Sequence, residues 1–295
     1  MNILVTGANG QLGNELRIIA DRFPDDRFFF TDIAELDITN QDAVNDFFQK
    51  NHIQTVINCA AYTAVDKAEN DEPAATLINA TAVGYLSKAC HKTDATLVHV
   101  STDYVYDGCA CKPYTEDHDT APASVYGRSK LAGEKAALAA PKSMVIRTSW
   151  LYSSFGNNFV KTMLRLGKER ETLNVVFDQV GTPTYAADLA KAIMKIVKTA
   201  EQSELNNKAI NDVQTGIFNY SNEGVCSWYD FAHEIMQQTG LKCEVRPIDT
   251  KDYPTPATRP HYSVLNKTRI KMAYGLEIPH WKDSLSQCLE KFMVC

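Results

Sequence analysis

Five short apolar runs set the rhythm of the first 150 residues: "NILVT", "RFFFTD", "TVINCA", "TLVHVS" and "SMVIRT". They are largely β-branched or aromatic, which is how strands buried on both faces read. Between them lie "QLGNELRIIADRF", "NQDAVNDFFQKN", "EPAATLINATAVGYLSKACHK" and "SVYGRSKLAGEKAALAA". Their apolar residues return at intervals of three and four, the period of an amphipathic helix. Strand and helix in repeated alternation predict a parallel sheet covered on both faces, a doubly wound α/β fold of Rossmann type.

The first strand runs into Gly7-Ala8-Asn9-Gly10-Gln11-Leu12-Gly13 and then a helix; a second strand ends at Asp32, nineteen residues past Gly13. That context gives each glycine a task. Gly7 permits the tight turn, Gly10 lets backbone approach a pyrophosphate, and Gly13 lets helix and strand pack closely. The helix N-terminus offers free N–H groups and a positive dipole end to phosphates. Asp32 is placed to accept hydrogen bonds from an adenosine ribose, and its charge opposes a 2′-phosphate. The spacing G-x-x-G-x-x-G is the form found in short-chain dehydrogenases. Residues 1–150 therefore read as an NAD(P)-binding domain.

The fourth strand ends in "VSTDYVYDG", and ligands of parallel sheets bind at the carboxyl ends of strands. Thr102 stands at that end. Tyr126 follows twenty-four residues later on the next predicted helix, with Lys130 one turn on and on the same face. A hydroxyl, a phenol and an ammonium can converge there. A free tyrosine titrates near 10 and is a poor acid–base at neutral pH. A lysine cation, helped by an oxidised nicotinamide, favours phenolate and is expected to move Tyr126 toward working pH.

Beyond Trp150 the rhythm changes. "NNFVKTMLRLGKERETLNVV" and "SWYDFAHEIMQQTG" read as helices, and the prolines of "KDYPTPATRPHYSVLN" exclude a helix or a central strand. Residues 151–295 are thus expected to form mainly a smaller α/β substrate lobe, with a helix near 185–201 returning to the main sheet. The net charge of -6 leaves no basic footprint for nucleic acid. No apolar run approaches the roughly 20 residues that cross a bilayer, and the N-terminus lacks the features of a signal peptide. The eight cysteines include one close pair, Cys109 and Cys111, without the second pair a zinc site needs. Free thiols in a reducing cytoplasm are the expectation, with no protein metal ligands assigned.

Longer motifs carry a resemblance. With "NCAAYTAVDKAE", "STDYVYDG", "VYGRSKLAGE", "RTSWLY", "GNNFVKTML", "DQVGTPT" and "YPTPATRP", nearly the whole chain resembles the extended short-chain dehydrogenase/reductase family. It is most similar to the branch that reduces the C4 ketone of a dTDP-linked 6-deoxysugar for polysaccharide synthesis. The resemblance implies NADPH or NADH as cofactor and a dTDP-sugar as substrate. Tyr126 would donate the proton, Lys130 bind the nicotinamide ribose, and Thr102 orient the carbonyl. Gly10, Gln11 and Leu12 would meet the pyrophosphate; Asp32, Asp37 and Ile38 the adenosine; Ala60, Ala61 and Tyr62 the middle of the cofactor. Val65, Asp66, Tyr104 and Trp150 would contact the sugar. Arg259 would lie near the diphosphate, which an arginine fork suits.

Two alternatives stand beside this one. Nucleotide-sugar dehydratases and epimerases of the same family recycle bound NAD, but the dehydratases place an Asp-Glu pair after the threonine, where this chain has Asp103 and Tyr104. A non-catalytic subunit, like the accessory chain of methionine adenosyltransferase, would have no use for Thr102, Tyr126 and Lys130 together. Some members dimerise through Mg2+ held by acidic side chains. Glu15 and Glu290 match that pattern, whereas the third position falls at Ala187, beside Asp188; this departure counts against the ion and leaves monomer and homodimer both open.

Overall fold

The computed structural model describes residues 1–205 and 215–293. The five expected strands form as β1 (Asn2–Thr6), β2 (Arg27–Thr31), β3 (Thr55–Asn58), β4 (Thr96–Thr102) and β5 (Ser143–Thr148). Between them run α1 (Gln11–Ala20), α2 (Gln41–Asn51), α3 (Val65–Ala68), α4 (Glu72–Thr76), α5 (Ala82–Thr93) and α6 (Val125–Ala137). The later chain supplies β6 (Leu151–Tyr152), α7 (Phe159–Glu169), β7 (Thr172–Val176), β8 (Val180–Gly181), β9 (Thr184–Tyr185) and α8 (Ala186–Leu205). It ends through β10 (Gly216–Asn219), β11 (Cys226–Ser227), α9 (Trp228–Thr239), β12 (Glu244–Ile248), α10 (Thr268–Tyr274) and α11 (Trp281–Met293).

The central sheet is parallel throughout, in the order β10-β5-β4-β3-β1-β2. The order reverses between β1 and β3, so a crevice opens above the carboxyl ends of those two strands. Side chains alternate between the faces with the two-residue period of a strand. Ile3 and Val5 pack under α1, α8 and α10 with Leu16, Leu189, Ile193 and Ile270. Leu4, Val56, Leu97 and Val145 pack under α2 and α5 with Val44, Phe48, Val83 and Leu86. A separate core of Tyr152, Met163, Leu173, Phe231, Ile235, Trp281 and Leu285 joins α7, α9, α11 and the short strands around them.

Three elements differ from the expectation. The sheet has a sixth strand, β10, contributed from far down the chain and paired with β5 in register Gly216↔Met144 through Asn219↔Arg147. The stretch "TLNVV", read as the tail of a helix, is strand β7, because it finds a parallel partner in β12; tertiary pairing outweighs local helical preference there. The long helix expected over 72–92 is interrupted by a π-turn at Leu77–Thr81, and such turns gather at functional sites.

Candidate active site

A cleft of about 1070 Å³ opens over the switch point. Its floor begins at the glycine loop. Gly7 has φ +63°, and a Cβ there would lie 2.6 Å from the Ala60 nitrogen. A Cβ on Gly13 would lie 2.5 Å from the Ala8 Cα. Only bare backbone lets β1, α1 and the 59–62 segment come this close. The N-cap of α1 is Gly10, which brings no side-chain cap, and no acidic residue stands in the first turn. The first N–H groups of α1 and its positive dipole end therefore face the cleft. Gly7, Gly10, Gln11 and Leu12 line it, whereas Gly13 lies behind in the packing.

Asp32, Asp37 and Ile38 line one end of the cleft. The Asp32 carboxylate is fixed beside the glycine loop, its Oδ2 accepting from the Asn9 N–H at 3.1 Å and its Oδ1 from the Ile33 N–H at 2.9 Å. Ala60 and Ala61 line the middle; Tyr62 does not. Its hydroxyl donates to Asp71 at 3.1 Å. Its backbone is clamped instead by Asn79, which accepts from the Tyr62 N–H at 2.8 Å and donates to the Tyr62 carbonyl at 3.1 Å and to Ser129 at 3.0 Å. Asn79 sits in the π-turn, whose distortion turns it inward. Glycine loop, open helix end and the Asp32 carboxylate beside them together fit a dinucleotide.

At the other end Thr102, Tyr126 and Lys130 share the cleft wall. Ser124 caps α6 by accepting from the Gly127 N–H at 3.1 Å, which fixes where Tyr126 enters. Thr102 donates to Asp103 Oδ1 at 3.0 Å and accepts from the Tyr104 N–H at 3.2 Å. The Tyr126 ring meets Tyr104 edge-on at 5.5 Å. Burial pushes the Tyr126 phenol up to about 12, with the Thr102 hydroxyl drawing it back and Asp103 adding to the rise. The expected lowering by Lys130 is not found. The Lys130 Nζ donates to the Val100 carbonyl, another group of the cleft wall, at 2.7 Å. Burial pushes Lys130 down to about 8, against the opposing charge of Glu134. Asp103, buried next to Thr102, is pushed up to about 7 by the same desolvation.

Val65, Tyr104 and Trp150 line the cleft; Asp66 and Arg259 do not. Those two face each other, Arg259 donating to Asp66 at 2.9 and 2.6 Å and to the Ala257 carbonyl at 3.1 Å. This fork holds the Asp66 carboxyl below the usual range and ties the proline-rich segment to α3. Trp228 and Asn157 are among the lining residues that escaped the sequence reading. Trp228 stacks on Trp150 at 3.6 Å, with Trp150 held at φ +49°. Asn157, beside Gly156, also faces the cleft. Its neighbour Asn158 reaches Gln11 at 2.9 Å, joining the later chain to the glycine loop.

The acidic residues matched to magnesium do not fit a divalent ion. Glu15 is buried, and its carboxylate accepts from Ser153 at 2.6 Å and from the Lys291 ammonium at 3.0 and 3.3 Å. Asp188 is taken by Ser284, Asn222 and Lys191, and Glu290 points to solvent. A lysine already neutralises the acid that a metal would need.

Comparison with known proteins agrees with this geometry. The family described as RmlD substrate binding domain matches residues 1–294. A dTDP-4-dehydrorhamnose reductase of Aggregatibacter actinomycetemcomitans is 40% identical over 293 residues, covering 96% of each chain. The crystal structure of a dTDP-4-dehydrorhamnose reductase of Clostridium acetobutylicum superposes with a TM-score of 0.92 at 43% identity, covering 99% of this chain and 100% of that one. That of Bacillus anthracis, solved in complex with NADP, gives 0.90 at 39% identity, covering 98% and 99%.

Proposed function

The chain belongs to the dTDP-4-dehydrorhamnose reductase family, and from that premise we propose that it reduces the C4 ketone of dTDP-4-dehydro-L-rhamnose to dTDP-L-rhamnose, with Tyr126 giving the proton. It is an NAD(P)H-dependent oxidoreductase. The observation that carries the reading is the meeting of Thr102, Tyr126 and Lys130 in the cleft that starts at the glycine loop.

Gly10, Gln11 and Leu12 would hold the pyrophosphate, Asp32 the adenosine ribose, and Lys130 the nicotinamide ribose. Bound there, the reduced nicotinamide supplies hydride. The chain's own task is to orient the ketone and protonate the oxygen that becomes an alkoxide. Burial, which pushes the Tyr126 phenol up to about 12, keeps its proton in place at neutral pH. Thr102, one hydrogen bond from the phenol, helps to aim the carbonyl oxygen at it. Val65, Tyr104 and the Trp150–Trp228 stack supply apolar walls for a 6-deoxysugar. Arg259 and Asp66 stand beyond Tyr104, where the diphosphate would compete with Asp66 for the arginine fork.

The test is oxidation of NADPH or NADH by the purified protein on addition of dTDP-4-keto-6-deoxy-L-mannose. One cofactor should be consumed per sugar reduced. Turnover of a dTDP-sugar without any added reductant would instead indicate a dehydratase or epimerase.

A further inference from the structure

Behind Lys130 lies a row of buried polar groups that the reduction itself does not use. Thr6 donates to Asn58 Oδ1 at 2.6 Å, Asn58 Nδ2 meets His99 Nδ1 at 3.0 Å, and His99 Nε2 meets Lys130 Nζ at 3.5 Å. Asn58 and His99 are fully buried. The orientation of the Asn58 amide is fixed by an obligate donor: the Ala60 backbone N–H reaches Asn58 Oδ1 at 3.2 Å. Turning the amide over would set its NH2 against that N–H. Asn58 Nδ2 is therefore the donor to His99, and His99 Nδ1 must accept. Burial keeps the imidazole neutral, so its one proton sits on Nε2, directed at Lys130.

An Nε2–H can be accepted by a neutral amine, which has a lone pair; it cannot be accepted by an ammonium, which has none. We infer that His99 is a positioning residue whose tautomer, locked by Asn58, presents a donor to Lys130 and favours its uncharged amine. Lys130 then donates to the Val100 carbonyl and accepts from His99 in one arrangement. The remaining groups around it are Cys59 after β3, and Tyr126 and Glu134 on its own helix; Glu134 and, less strongly, Cys59 favour the charge. Glu134 is itself bound by Arg147, at 2.9 and 2.7 Å, which weakens that support. Desolvation lowers Lys130 in the same sense. The space is tightly bounded, since a Cβ on Gly133 would lie 3.5 Å from His99 Nε2 and 1.9 Å from the Asn79 carbonyl oxygen.

The tautomer stands apart from the proposed reaction, whereas its effect on turnover rests on that reading. Long-range proton–nitrogen-15 spectra of the labelled protein should show His99 protonated on Nε2 and bare on Nδ1 across neutral pH. Lys130, followed through its Cε resonance, should titrate at least one pH unit below the other lysines. Asn58→Asp keeps an oxygen for Thr6 and Ala60 but accepts from His99, so the imidazole proton should move to Nδ1. Nε2 then accepts from the ammonium, and the Lys130 midpoint and the basic limb of kcat should both rise by at least one pH unit. An Nδ1–H or doubly protonated His99 in the wild type overturns the inference. So does a Lys130 midpoint that rises in the variant without a change of tautomer. Should the variant not fold, the wild-type spectra decide both points, an ordinary lysine midpoint being fatal. A protein that passes these tests yet reduces no dTDP-sugar would refute the proposed function alone.

Discussion

Tyr126 and Arg259 show how a single side chain can be legible in sequence and still surprise in place. The Tyr-x-x-x-Lys spacing put Tyr126 and Lys130 on one face, yet not the direction of the lysine, because Nζ follows the carbonyl of Val100 on β4, which is distant in the chain. Tyr126→Phe removes one oxygen from a well-packed ring and should lower kcat by ~10²–10⁴ with the affinity for NADPH nearly unchanged. Stopped-flow turnover and fluorescence titration of the cofactor check the two halves. Arg259 was placed by resemblance near the diphosphate, and it stands paired with Asp66. Arg259→Ala should raise KM for the dTDP-sugar by a factor corresponding to about 1.5–3 kcal/mol, as for a hydrogen bond to a charged group. Cofactor binding should not change. A fall in thermal stability with KM unmoved would make the pair a purely structural tie. His99, Asn58 and Trp228 were invisible for the same reason: they meet the site through space, and no spacing in the chain records it.

At the scale of elements, the strands and helices with strong period were readable, and the failures have physical causes. No glycine or proline separates α7 from β7; the link Arg170-Glu171 is charged and helix-favouring, and only pairing with β12 reveals the strand. The four residues of β10 are too few to show a period. The closeness of α6 to its surroundings was also hidden. A Cβ on Gly127 would lie 2.3 Å from the Tyr104 carbonyl oxygen, and one on Gly133 1.9 Å from that of Asn79. Both contacts are with backbone, which cannot swing aside. Gly133→Ala should therefore lift α6 from the π-turn, costing roughly 1–3 kcal/mol as overpacking does. Because Tyr126 and Lys130 ride on this helix, kcat should fall in the same variant. Calorimetry and steady-state kinetics would register the two together; a variant as stable and active as the parent contradicts so close a contact.

For the molecule as a whole, many ionisable groups are buried in their neutral forms, and that fixes its response to alkali. Burial raises the thiols of Cys90, Cys226 and Cys288, the last to about 12, from the ordinary 9.0. It raises the phenols of Tyr126 and Tyr114 to about 12 from 10.0, Tyr114 with help from Asp107. The unfolded chain loses these protons first, so it binds fewer of them than the folded chain from about pH 9 upward, and stability falls as pH rises through that window. Lys130 acts in the opposite sense between about 8 and 10.5, where the unfolded chain still holds a proton that the folded chain has released. One lysine is outnumbered. The urea midpoint should change little between pH 7 and 9 and decline steadily between about 9.5 and 11. A midpoint that climbs throughout would mean that these thiols and phenols are not shielded as described.

The strand β10 also has a consequence for the order in which the protein is made. Every residue of β5 is buried, and the outer edge of that strand is covered only when Gly216–Asn219 arrive beside it. On the ribosome, β5 emerges some seventy residues before its partner. At roughly 5–20 residues per second, the nascent chain carries an open, apolar strand edge for several seconds. Such an edge is a template for pairing with another chain, which makes this interval the one in which a chaperone would be needed. A polypeptide ending at residue 150 should remain in that condition permanently. It is expected to be recovered in aggregates, and a chain extended through residue 220 should be markedly more soluble; a soluble, monomeric 1–150 fragment would show that the edge is protected by other means.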